Sequence, residues 1–134
     1  MSEPIVVVKG IKEKIEKDLE KHKSLLEQTG QDLIKFRSAR SHEIKRKKHY
    51  NSLIGGDRYN DDALRESIQQ SVINIKHMSD KCNLAEEKIK HHQQIISVLS
   101  QQLTNQEYLE RQAELYYQDH PEERPDGDEY KLGR

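Results

Sequence analysis

From residue 68 to residue 103 an apolar side chain returns at every seventh position: Ile68, Ile75, Cys82, Ile89, Ile96 and Leu103. Three residues after each come Ser71, Met78, Ala85, His92, Leu99 and Gln106. Alternating steps of three and four over about six repeats are the a/d pattern of a helix that packs along one seam. The pattern predicts a helix from about 62 to about 118, where His120-Pro121 stops it.

Upstream, Ile11, Ile15, Leu19, His22, Leu26, Thr29, Leu33 and Phe36 repeat at the same steps and predict a first helix from about 11 to about 54. Gly30 interrupts this stretch and allows a break into two shorter helices. The stripe passes it in phase, however, and one tolerated glycine costs only about 1 kcal/mol relative to Ala, so one continuous helix is favoured. Between the two helices, Gly55-Gly56-Asp57-Arg58-Tyr59-Asn60 combines a Gly pair with Asp and Asn, and predicts a loop over 55–61 in which Asn60, Asp61 or Asp62 caps the second helix.

The fold class expected is therefore all-α: an antiparallel hairpin of two long helices over residues 11–118, coiled-coil-like, completed to a four-helix bundle by dimerisation. With the loop centred near Asp57, facing positions sum to about 114. That arithmetic pairs Ile15 with Leu99, Leu26 with Ile89, Phe36 with Met78, and His22 with His92. The expected hairpin seam comprises Ile15, His22, Leu26, Phe36, Ile75, Ile89, His92, Ile96, Leu99 and Leu103.

The second helix carries more apolar residues than one seam uses. Leu84, Ile95, Val98 and Leu109 lie on a different face, and Tyr108, Ala113, Tyr116 and Tyr117 reach past most of helix 1. Two stripes on one helix imply two packing neighbours. Leu84, Ile95, Val98, Tyr108, Leu109, Ala113 and Tyr116 are thus the expected interface for a second copy or another protein.

Composition sets the class. Apolar residues make up 32% and charged residues 35%, with no Trp, one Phe and a net charge of −1. This is far below the roughly 45–50% apolar usage of ordinary domains, and it suits long helices. The near-zero charge and regular spacing argue against full disorder. Residues 1–10 form an N-terminal extension whose Ile5–Val8 run fits a short strand pairing with another chain, or the first turn of helix 1. The second is favoured, because the sequence holds no partner strand. Residues 119–134, with Pro121, Pro125 and Gly127, are expected to be a disordered acidic tail, either solubilising or carrying a short motif around Tyr130-Lys131-Leu132.

Candidate chemistry is sparse. The lone Cys82 sits at a seam position, where a thiol acts as a small hydrophobe. No phosphate-binding loop, nucleophile–base arrangement or metal-ligand spacing occurs, so no catalytic, cofactor or metal residues are assigned and the protein is read as non-enzymatic. A His22–His92 layer would set register and make the assembly acid-sensitive, because two imidazolium ions would face each other. No apolar run approaches the roughly 18 residues of a membrane span, and a soluble, cytoplasmic protein is expected. Segment 35–49 holds seven Lys or Arg against one acid, and Arg37, Arg40, Lys45, Arg46, Lys47 and Lys48 could contact nucleic acid phosphates. Segment 107–129 holds nine acids against Arg111 and Arg124. An antiparallel dimer would bring these opposite segments together. The function expected is a self-associating assembly or adaptor protein that binds a partner protein through helix faces, with sequestration or inhibition of that partner included. The alternative is a nucleic-acid-binding accessory protein.

Overall fold

The computed structural model describes residues 10–123. Helix α1 spans Ile11–Leu53, helix α2 spans Asp61–Asp119, and a single 3-10 turn covers Pro121–Glu123. The two long helices pack against each other as a hairpin, and α1 runs through Gly30 without a break. Residues Ile5–Val8 and 124–134, for which a strand or first turn and a mobile tail were expected, lie outside the described residues.

Local chemistry explains each boundary. Gly10 has φ +89°, a left-handed conformation that a side chain disfavours, and its carbonyl accepts the first helical hydrogen bond from Lys14 at 3.0 Å. Gly55 ends α1 in the same region, at φ +83°. Asn60 caps α2: its Oδ1 accepts from the amides of Asp62 at 2.8 Å and Ala63 at 3.2 Å, while its carbonyl takes the Leu64 amide at 3.1 Å. Asp61 does a different job, accepting the Gly55 amide at 3.1 Å and so tying the two sides of the loop. Asp61 and Asp62 also place negative charge at the positive end of the α2 dipole.

Every buried residue among the described ones occupies an a or d position. In α1 these are Leu19 and Leu33; in α2 they are Leu64, Ser71, Cys82, Ala85, Glu110, Ala113 and Tyr117. Most half-buried positions follow the same phase through α1, namely Ile15, His22, Leu26, Thr29, Phe36, Arg40, Glu43, Lys47 and Tyr50, while Asp18, Gly30, Asp32 and Leu53 flank it. This is the outcome expected when a helix has one neighbour along one strip.

The chain divides into two compact units, residues 25–91 and residues 1–24 with 92–134. In the first, Leu33, Cys82 and Ala85 form the core, with Phe36 and Ile89 packed against it. The small Cys82 and Ala85 side chains give Leu33 and Phe36 room to enter the seam. The Lys81 ammonium lies 5.5 Å from the Phe36 ring centroid, closing the top of that cluster. In the second unit Leu19 is buried, and Ala113 and Tyr117 form a core flanked by Tyr116.

Replacing Asn60 by Ala removes the acceptor for two otherwise unpaired amides and should lower the unfolding free energy by about 1 kcal/mol. Urea titration followed by helical circular dichroism measures it. An unchanged midpoint would mean that the cap does not limit stability.

Candidate functional site

The candidate site considered is a set of helix faces. Three regions carry the chemistry: the histidine layer, the basic stretch of α1, and the outer face and C-terminal end of α2.

His22 and His92 meet across the seam, Nδ1 to Nδ1 at 3.0 Å, with ring centroids 5.2 Å apart and planes tilted by 46°. Such a contact requires one ring to donate N–H and the other to present a bare nitrogen. It is broken if both Nδ1 atoms carry protons. The pair satisfies the about-114 sum expected of the hairpin. Nearby, Ile15 and Leu99, a pair with the same sum, line one side of an open groove of about 500 Å³ together with Ile11 and Leu109. Phe36 sits among Leu33, Cys82 and Ala85, about one turn further along α2 than the expected Met78.

The basic stretch is less available than its composition suggests. Arg37 Nη2 bonds Glu86 Oε1 at 3.1 Å, Arg46 Nη1 lies 3.3 Å from Glu43 Oε1, and Arg46 Nη2 lies 3.4 Å from His42 Nε2. Arg40 and Lys47 are half-buried at seam positions, leaving Lys45 and Lys48 exposed. The exposed Arg37–Glu86 pair is worth roughly 0.2–1 kcal/mol and can exchange for another anion. Arg40 and Lys47 are held by the helix's own phase. The steps from Phe36 to Arg40, Glu43, Lys47 and Tyr50 extend the α1 seam through this charged run, a signal that the charges concealed. Glu43 Oε2 is buried there without a hydrogen-bond partner, and the register places the small, buried Ser71 opposite it.

On the outer face of α2, Leu84, Ile95, Val98 and Leu109 fall at the c and g positions of the heptad. Leu84 is 53% exposed and Val98 57%, Leu109 is also exposed, and Ile95 is half-buried. Tyr108 is exposed one position from Leu109, and Leu115, which the pattern did not single out, is exposed seven residues on.

Two expected interface residues do not belong to that surface. Ala113 is 0% exposed, because it is the d position that follows Leu99 and Gln106 in the seam. Tyr116 is half-buried against the Ala113–Tyr117 core, stacked on His120 at 4.3 Å and edge-on to Tyr117 at 5.2 Å. The seam was expected to end at Gln106; it continues through Glu110, Ala113 and Tyr117, and two polar residues in succession hid the continuation. The start of the expected disordered tail also differs. Asp119 is helical, the Glu123 amide bonds the His120 carbonyl at 3.0 Å, and the Tyr116 hydroxyl donates to the Glu123 carboxylate.

Among the described residues no group of three or more His, Cys, Asp or Glu is placed to hold a metal ion, and no helix is long and apolar enough to cross a membrane. Comparison with protein-family models, with curated proteins and with solved structures gave no match.

Two measurements test these contacts. Replacing His92 alone by Leu leaves the Nδ1 of His22 without this partner and should destabilise, whereas the His22→Leu/His92→Leu double variant should recover that loss or exceed wild-type stability. Additive losses in the cycle would show that the rings are not coupled. The Glu123 hydrogen bond, then desolvation, then the nearby Glu123 and Tyr117 charges push the Tyr116 phenol up to about 12. The contact is therefore fully present below an ordinary phenol value of about 10 and is lost as pH rises through about 12. Phenolate absorbance should show one late-titrating tyrosine that moves earlier in Glu123→Gln; an unmoved profile rejects the contact.

Proposed function

We propose that this chain is a non-enzymatic helical assembly or adaptor protein that self-associates and presents helix faces to a partner protein. The observation that carries the reading is the exposed c/g stripe of α2, where Val98 is 57% exposed between Ile95 and Leu109. Scattered exposed apolar residues need no explanation, but a stripe in phase on one helix face marks a packing neighbour. Leu84 continues the same phase. Burying one such side chain stabilises an interface by about 1.5–3 kcal/mol, so a few of them outweigh the exposed ion pairs near the loop.

The neighbour we infer is a second copy of the chain, packed antiparallel to give a four-helix bundle. Charge supports that choice: segment 35–49 is basic and segment 107–123 is acidic, so opposite signs meet when two copies run in opposite directions. Glu110 is buried, yet Glu107, Asp119, Glu122 and Glu123 remain exposed. The partner-protein role, including sequestration or inhibition, rests on the same faces. Nucleic-acid binding is the weaker reading, since most of its candidate cations already have intrachain roles.

Sedimentation equilibrium should show a dimer that weakens at high salt, and the Ile95→Asp/Val98→Asp variant should be monomeric with its helical spectrum retained. A wild-type monomer at tens of micromolar would sink the self-association reading. Salt-sensitive binding of RNA or DNA that disappears in Lys45→Glu/Lys48→Glu would replace the adaptor reading with the alternative.

A further inference from the structure

Two grooves draw part of their α2 wall from g positions of the heptad, beside the exposed c/g stripe. The first, of about 500 Å³, is lined by Ile15 and Leu99 with Gln102 and Leu109. The second, of about 240 Å³, is lined by Phe36 and Ala85 with Lys81, Leu84 and Lys88. A cavity of about 150 Å³ already holds a benzene, so each groove has room for a leucine side chain. Each also carries an exposed leucine of its own, Leu109 in the first and Leu84 in the second. Along the continuous helix α2 these two leucines stand about 38 Å apart, at a rise of 1.5 Å per residue.

The order of residues along the stripe selects the occupant. Leu84 and Leu109 close its ends, and Ile95 and Val98 stand at its middle. Two polar residues fill each gap, Lys88 and His91 on one side, Gln102 and Asn105 on the other. A stripe that reads the same from both ends complements a reversed copy of itself, which is what a two-fold, isologous interface requires. With the axis level with the Ile96–Ser97 peptide, Leu84 meets the partner's Leu109 and Ile95 meets the partner's Val98. Polar residues then meet polar ones, Lys88 the partner's Asn105 and His91 the partner's Gln102. Sliding one copy by a heptad in either direction sets Ile95, Val98 and Leu109 against His, Lys, Asn or Gln, and strands polar groups against apolar ones. Charge agrees with the first register. Phe36 packs beside Cys82 and Ala85, so residues 35–44, with Lys35, Arg37 and Arg40, run level with about residues 74–83 of α2. The same axis brings the partner's Glu114 and the partner's Asp119 to that level.

We propose that a second copy docks on the c/g face of α2 about a two-fold axis level with Ile96 and Ser97. Each chain's Leu84 enters the groove at the partner's Leu109, and each Leu109 enters the groove at the partner's Leu84. This register rests on self-association through the c/g stripe, and it fixes which residues of the two copies touch.

Disulfide formation on the full chain tests the register, because it needs Cα atoms within about 7 Å of each other. Mild oxidation of Leu84→Cys/Leu109→Cys should give covalent dimers, since about 38 Å of helix separates the two positions within one chain. Leu84→Cys or Leu109→Cys alone should cross-link at least tenfold more slowly, and mixing the two single variants should restore the rate. That mixture gives the same reading if the double variant does not fold. Cys82, 1% exposed, stays out of the exchange. Sedimentation equilibrium of the reduced proteins separates the two levels of inference. A dimer that forms no bridge between 84 and 109, or single variants that cross-link as fast as the double, overturns the register and leaves self-association standing. A monomer overturns both.

Discussion

Side-by-side packing of two helices along one strip is the constraint on which the rest of this structure depends. A helix with a single neighbour can bury only its a and d positions, and the buried residues of both helices keep to them from Leu19 to Tyr117. Leu33 fits between Cys82 and Ala85 because those side chains are small, and Phe36 and Ile89 close the same cluster. Away from such clusters most seam positions are half-buried, with Leu19, Leu64, Ser71 and Glu110 buried singly. Anything apolar outside the strip stays wet, so the off-seam residues of α2 acquire a second meaning.

The seam is also unusually polar for a packing surface. Ser71 and Glu110 are buried in it, Glu43 leaves one carboxylate oxygen without a hydrogen bond, and His22 faces His92. Each such group weakens the interface relative to an aliphatic layer, because desolvation is only partly repaid. Each also restricts how the helices can slide. The Nδ1–Nδ1 contact forms only when the two rings are level, and a shift by one turn would strand both. Polar layers inside helical seams are an attested device for holding register.

The ends of the hairpin are closed by different means. At the loop, one asparagine and two glycines set the turn, and Asp61 ties its two sides together. At the far end of α2, the seam outlasts its helical partner, and a Tyr116–His120–Glu123 hook caps the helix. The acids that mark this region in composition therefore divide into distinct roles: Glu110 is buried, Glu123 holds Tyr116, and Glu107 and Asp119 face solvent. The basic stretch of α1 divides in the same way, with Arg40 and Lys47 in the seam and Lys45 and Lys48 outside it.

What the amino-acid order determined by itself was everything that depends on period and punctuation. The heptads of α2, the absence of proline between Pro4 and Pro121, and the Gly-Gly loop specify two long helices and their antiparallel register, because backbone geometry links spacing to face. His22 opposite His92 follows from that arithmetic alone. Which residues of a face are covered depends on neighbours distant in the chain, and only the tertiary structure decided that. Ala113 and Tyr117 read as free surface because Gln106 and Glu110 break the apolar run, yet they are buried. Arg40, Glu43 and Lys47 read as a solvated charge cluster, yet they continue the seam. In both places helical phase overrode residue chemistry: a helix carries each side chain to the face its position dictates, and the fold then buries that face whether the side chain is apolar or charged.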